Sequence, residues 1–292
     1  MNKCIRIIPR IDIKGPNVVK GIHLEGLRVL GKPEQFAQFY YEQGADELFY
    51  QDVVASLYDR NHLEDIINKT AKKIFIPLTV GGGLRTIDDI KSVLRAGADK
   101  VALNTAAIDN PNIIKEAVKI FGSSTIVIAI EAIRQEDGRY LAFTHNGRDC
   151  AAIDAYEWAL KVEELGAGEI IVTSVDKEGT GQGFDMELTK TIAEDVAIPV
   201  IAHGGAGNVD HLFEVIQKGK VDAVALASIF HYEYINNVKT LHEYEEEGNI
   251  DFLRSGKNFS KVDAMSISKV KESLMAKGIE CRYSKIKVDE RL

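Results

Sequence analysis

The sequence predicts a (β/α)8 TIM barrel, built from two duplicated (β/α)4 halves and forming one domain over residues 1–292. Three observations lead there. Eight short apolar runs recur along the chain, each followed by a stretch with the 3.6-residue apolar period of a helix. The runs are apolar almost throughout rather than alternating, as befits strands of a parallel sheet buried on both faces. The segment IPLTVGGGLRTIDDIKSVLRAGADKVALNTA echoes IPVIAHGGAGNVDHLFEVIQKGKVDAVALASI at an offset of 122 residues, and GADELFYQDV echoes GAGEIIVTSV at the same offset. A repeat of this length is a half-barrel unit.

The elements follow in order. IRIIPRID (5–12) is the first strand, and GPNVVKGIHLEGLRVLGKP (15–33) after it reads as a long loop able to act as a lid over the strand C-terminal ends. ELFYQDV (47–53), IPLTV (76–80) and DKVALN (99–104) are strands two to four, with TIDDIKSVLRAGA an amphipathic helix between the last two. TIVIAIE (125–131) is the fifth strand, followed by RQEDGRYLAFTHNGR (134–148), a hairpin turning at Asp137 and Gly138. EIIVTS (169–174), IPVIAH (198–203) and DAVALA (222–227) complete the eight. Residues 234–263 read as an insertion before a last helix, SISKVKESLMAKG, which opens on a Ser cap.

Composition narrows the function classes. Hydrophobic residues make up 45% of the chain and charged residues 27%, the proportions of an ordinary globular protein. A net charge of -8 argues against a general nucleic-acid role, which needs clustered Lys and Arg. Cys4, Cys150 and Cys281 are odd in number and widely spaced, so neither a disulfide framework nor a metal site is expected. MNKCIRIIPRIDIKG lacks a signal-like apolar stretch and no run suits a membrane span, so the expected location is the cytoplasm.

In a barrel of this kind the residues that end the strands form the active face. Asp12 ends the first strand and Glu131 the fifth, across the barrel from one another, where they could exchange protons on opposite sides of a substrate. Each could instead cap a turn or pair with Lys14 or Arg134, but their matched placement in a duplicated chain favours catalysis. The turns VGGGLRT (80–86) and HGGAGNV (203–209) bring Gly82, Gly83, Gly204 and Gly205 to strand ends that open helices, where backbone N–H groups favour an anion such as phosphate. Neighbouring turns add Asn104, Thr105, Ala227 and Ser228. Two such sites half a barrel apart suit a substrate with a phosphate at each end, although tight packing alone also explains a Gly pair. His203 reads as a core residue, a substrate contact or an acid/base group, with the structural role the usual one. Lys20 is a cation on the candidate lid. Arg6, Glu47, Lys100 and Glu169 begin strands one, two, four and six, and two cations with two anions could form a self-neutralising ring closing the floor.

Through RIDIKGPNVVKG, GADELFYQDVVAS, IPLTVGGGLR, GADKVALNTAAI, GAGEIIVTSVDKEGTGQGFD and HGGAGN, the chain resembles the cyclase subunits of imidazole glycerol phosphate synthase, over residues 3 to about 233 and again in the last helix. The resemblance implies a lyase of histidine biosynthesis with no cofactor. A glutaminase partner at the strand N-terminal face would release ammonia, which travels along the axis to a bis-phosphorylated ribulosyl-formimino carboxamide ribonucleotide. It further implies Asp12 and Glu131 as the acid/base pair; Gly83, Asn104 and Thr105 at one phosphate and Gly179, Gly205, Ala227 and Ser228 at the other; Lys20, Asp52, Thr173 and Glu178 along the substrate site; and Arg6, Glu47, Lys100 and Glu169 as a channel gate. Where these relatives carry an aspartate ending strand five, this chain has Glu131; His203 stands for a serine and Glu178 for an aspartate. Two alternatives follow: a paralogue that passes ammonia to another acceptor, such as an N-acyl sugar of surface polysaccharide, and a silent barrel that only activates a glutaminase.

Overall fold

In a computed structural model describing residues 3–55, 63–237 and 261–282, the chain is a closed eight-stranded parallel barrel ringed by helices. The barrel strands are β1 (Arg6–Lys14), β4 (Leu48–Asp52), β5 (Leu78–Gly81), β6 (Lys100–Leu103), β7 (Ile126–Arg134), β10 (Glu169–Ser174), β11 (Val200–His203) and β12 (Ala223–Leu226). They pair in that order, and closure comes from β1 against β12, with Arg6 opposite Ala223, and β10 against β7, with Glu169 opposite Val127.

Two hairpins rise from the strand C-terminal ends. The segment expected as a loop over 15–33 is instead the antiparallel pair β2 (Asn17–Ile22) and β3 (Glu25–Gly31), with β2 paired to β1. The correction has a physical source: VVKGI and LRVLG carry β-branched and aliphatic residues on either side of a turn at His23 and Leu24, both at positive φ. The second rises from β7 as β8 (Tyr140–Thr144) and β9 (Asp149–Asp154), turning first at Asp137–Gly138 as expected and then through His145 and Asn146.

The helices are α1 (Pro33–Glu42), α2 (Glu64–Ala71), α3 (Ile87–Ala96), α4 (Thr105–Asp109), α5 (Asn112–Phe121), α6 (Ala155–Glu164), α7 (Met186–Asp195), α8 (Val209–Gly219), α9 (Ser228–Asn237) and α10 (Ile267–Ala276). Local chemistry sets their ends. α3 opens on a capping box in which Thr86 Oγ1 accepts from the Asp89 amide at 3.1 Å and Asp89 accepts from the Thr86 amide at 2.9 Å, and it stops at Gly97, at φ +119°. Ser266 caps α10 as expected. Of the insertion expected over 234–263, Tyr234–Asn237 lie in α9, and residues 238–260 lie outside those described.

Because side chains alternate across a strand, each barrel strand feeds two cores. Ile7, Ile11 and Ile13 point out into the helix layer, whereas Ile8, Phe49, Val127, Ile171 and Ile201 fill the barrel interior with Ala102, Ala129, Ala223 and Ala225. The same alternation places Arg6 below Ile8, and Arg10 and Asp12 above it. The interior is thus an apolar plug between a charged floor and a charged mouth. Among the described residues no helix is long and apolar enough to cross a membrane.

Candidate functional site

Asp12 and Glu131 both sit at the mouth and both are buried, at 3% and 4% exposure. They are held differently. Asp12 Oδ1 accepts from Arg10 Nε at 2.8 Å, a buried ion pair between residues two apart on one strand. Glu131 accepts from Asn104 Nδ2 at 3.2 Å and from the Gly147 amide, and burial pushes its carboxyl up to about 7, against the opposing pull of Arg10. The two are therefore set in unlike surroundings: Asp12 is tied to a cation, and Glu131 near neutrality can still carry its proton.

A cavity of about 300 Å³ opens beside Glu131, lined by Asp52, Gly82, Gly83, Asn104, Thr105 and Asn146 among others. Gly82 and Gly83 lie at φ +100° and +71°. At Gly82 a Cβ would fall 2.3 Å from the Asp52 carbonyl, so close backbone approach by itself demands glycine there. At both glycine turns a side chain caps the helix that follows. α3 is capped by Thr86 and Asp89, and α8 by Asn208, whose Oδ1 accepts from the His211 amide at 3.1 Å. α4 starts without a side-chain cap, the Asn104 amide serving Glu131 and the Phe143 carbonyl instead. Thr105 Oγ1 accepts from the His145 amide at 3.2 Å. Asp52 Oδ1 accepts from the Val54 and Ala55 amides, fixing the turn behind the cavity.

The other half of the mouth is built from different contacts. Gly204 and Gly205 lie at φ +94° and +102°, and a Cβ on Gly205 would meet the Gly183 carbonyl at 2.0 Å. Gly179 packs against the carbonyl of Gly21, on the β2–β3 hairpin. Ala227 and Ser228 are buried where β12 passes into α9. Lys20 does not stand free over a phosphate site: its Nζ forms a buried ion pair with Glu178 and donates to the Gly21 carbonyl at 2.7 Å. The hairpin is fastened further by the His23 amide to the Glu178 carbonyl at 3.0 Å and the Leu24 amide to Glu178 Oε2 at 3.1 Å. Thr173 and His203, on adjacent strands, meet with Oγ1 and Nδ1 3.2 Å apart.

Two contributions lay outside the expected residues. Arg10, 2% exposed, donates through Nη1 to His203 Nδ1 at 3.2 Å and to Thr173 Oγ1 at 3.4 Å. Its signal was present in IRIIPRID, because the period that turns Arg6 and Asp12 inward turns Arg10 inward as well. His145 and Asn146 reach the cavity from the β8–β9 turn at φ +52° and +61°, and THNG, a turn-former run between two strands, was the available clue.

At the opposite end of the barrel the four floor residues meet. Arg6 Nη1 donates to Glu47 Oε2 at 3.0 Å and its Nη2 pairs with Glu169, while Lys100 Nζ lies 3.1 Å from both oxygens of Glu47 and 3.0 Å from Glu169 Oε2. Thr79 Oγ1 adds a 2.6 Å bond to Glu47. Each carboxylate contacts both cations. The anions are the more buried members, Glu47 at 2% and Glu169 at 7% side-chain exposure, against 28% for Arg6 and 21% for Lys100.

The family model described as histidine biosynthesis protein matches residues 6–236. Imidazole glycerol phosphate synthase subunit HisF of Legionella pneumophila is 54% identical over 206 residues, covering 70% of this chain and 97% of the relative.

Proposed function

The chain belongs to the histidine biosynthesis protein family, and on that premise we propose that it is an ammonia-dependent cyclase subunit. It takes ammonia from a glutaminase partner and converts a bis-phosphorylated ribulosyl-formimino carboxamide ribonucleotide to imidazole glycerol phosphate and aminoimidazole carboxamide ribonucleotide. The observation that carries this is the pair of buried carboxylates from opposite strands, in unlike electrostatic settings, above an apolar interior and an ion-paired floor. Ammonia is neutral and small, and the interior layer it would cross between floor and mouth is apolar, with alanine at four positions. There Asp12, held as a carboxylate by Arg10, takes the proton lost as nitrogen bonds to carbon, and Glu131 supplies one to the departing group. The Gly82–Gly83 turn and the start of α4 bind one phosphate, and the Gly204–Gly205 turn and the start of α9 the other. A cytoplasmic location goes with this reading.

The direct test incubates the purified protein with ammonium salt and the bis-phosphate substrate. Absence of imidazole glycerol phosphate, in protein that is folded and binds its glutaminase, removes this reading. A second reading keeps the partner and the ammonia route but changes the acceptor. Its support is the crowding of one half of the mouth by Arg10, His203 and the Lys20–Glu178 pair.

The floor is the proposed docking face for the glutaminase. In the connection that enters β5, Phe75 is 82% exposed, and Ile120, near the end of α5, is 54% exposed. Large apolar side chains on a face ringed by charge suit a partner that buries them. Phe75→Asp is expected to raise the Kd for the glutaminase at least tenfold in calorimetric titration and to leave ammonium-driven turnover intact. An unchanged Kd places the docking face elsewhere.

A further inference from the structure

Arg10 is a buried charged residue at the mouth that neither the expected acid/base pair nor the phosphate sites account for. It lies on the barrel side of Asp12, with its guanidinium 5.9 Å from the centre of the Phe49 ring, so it sits directly above the apolar interior. Around it are Asp12 on its own strand, Glu131 on β7, Thr173 on β10, Glu178 in the turn that follows, His203 on β11 and Lys20 on the β2–β3 hairpin. Its Nη2 is buried and has no hydrogen-bond partner among the described residues. A buried donor left unpaired destabilises the fold, so packing stability alone does not account for an arginine here.

We propose that Arg10 is a positioning residue of this site, which anchors Asp12 from below and fixes the tautomer of His203. The proposal rests on the cyclase reading for its effect on turnover and on geometry alone for its effect on His203. A guanidinium can only donate. With Arg10 Nη1 3.2 Å from His203 Nδ1, that nitrogen must be the acceptor, so the ring proton is on Nε2. The Thr173 hydroxyl fits the same arrangement, accepting from Nη1 and lying 3.2 Å from Nδ1. Burial and the nearby cations Arg10 and Lys20 drive His203 well below its usual value, so the ring is neutral. His203 therefore offers a neutral Nε2–H donor next to the Gly204–Gly205 turn, its orientation set from below. Through Nε the same guanidinium holds Asp12 Oδ1, so one side chain sets both the charge of the base and the polarity of the ring beside it.

The test compares the full chain with its Arg10→Met and Arg10→Lys variants. Nitrogen-15 spectra of the His203 imidazole, assigned by the signal lost in His203→Gln, are expected to give a single Nε2–H tautomer that does not titrate between pH 5 and 8. In Arg10→Met the ring is expected to begin titrating in that range and to mix tautomers. Ammonium-driven kcat of Arg10→Met should fall about a hundredfold with KM changed less than threefold, as the buried Asp12 loses the partner that holds it. Arg10→Lys, which keeps the charge but not the three-way fork, should recover part of kcat and leave the tautomers mixed. A His203 spectrum in Arg10→Met identical to that of the parent overturns the proposal. So does a loss of kcat that tracks loss of folding. If Arg10→Met does not fold, Arg10→Lys and Thr173→Val decide the same tautomer question. Should the parent itself not turn over the bis-phosphate, the cyclase reading fails, and the imidazole spectra still decide the role of Arg10.

Discussion

Glu131→Gln is expected to lower ammonium-driven turnover at least a hundredfold while making the protein more stable above pH 7. The two effects share one cause. A buried carboxyl held up to about 7 is still half protonated at neutral pH, as a proton donor needs to be, and general acid catalysis is worth about 10²–10⁴ in rate. Glutamine keeps the shape and can still accept from Asn104 Nδ2, but it has no proton to give. In the unfolded chain Glu131 ionises near its ordinary value of 4.5, so the raised folded value favours folding fully only at lower pH. That contribution is lost as pH rises through about 7, leaving a burden of roughly 3 kcal/mol when set against the neutral side chain. Urea unfolding should thus give parent and variant the same stability near pH 4 and a variant more stable by about 1–3 kcal/mol at pH 8. Superimposable stability curves would show that Glu131 is not held neutral by burial. Full turnover in the variant would make it a structural residue. If Glu131 is the donor, the parent's turnover should also decline above pH 7 as the proton is lost.

The fold was legible because its signals are local. Near-continuous apolar runs of four to nine residues, alternating with amphipathic stretches, leave few architectures open, and the eight expected strands are the eight of the barrel. The β2–β3 hairpin escaped that logic. Gly15, Pro16, Gly21 and Gly26 punctuate it as they would a loop, and its strand character comes from pairing with the extended end of β1. At the mouth, residues that end strands could be found because topology fixes their height: Asp12, Glu131, Thr173 and His203 all lie at the top of the barrel. What they do there depends on neighbours remote in sequence. Arg10 acquires its meaning from His203, 193 positions away, and Lys20 from Glu178, 158 away. Asn104, expected at a phosphate, spends its amide on Glu131, a choice set by the register of β6 against β7. The floor was easier, because four charged residues opening apolar strands have only one another to neutralise them.

Lys100→Ala is expected to separate glutamine hydrolysis from product formation. Lys100 bridges the two carboxylates of the floor, reaching both oxygens of Glu47 and one of Glu169, and without it Arg6 alone must balance two largely buried anions. Removing one partner of a fully buried pair costs about 3–5 kcal/mol. Lys100 retains 21% exposure, so water offsets part of the loss, and a fall of about 1–2 kcal/mol in unfolding free energy is the expected size. The larger consequence falls on the ring. With the bridge gone, Glu47 and Glu169 repel, water enters beside them, and ammonia released at the floor can leave sideways instead of passing the apolar interior. In the glutaminase complex, the ratio of product formed to glutamine hydrolysed should therefore drop several-fold, while turnover driven by added ammonium salt, which bypasses the floor through the open mouth, should stay within about twofold of the parent. Lys100→Arg, which keeps the charge and can span the same carboxylates, should restore most of the coupling. A ratio unchanged in Lys100→Ala would mean that the ring fastens the barrel floor without directing ammonia.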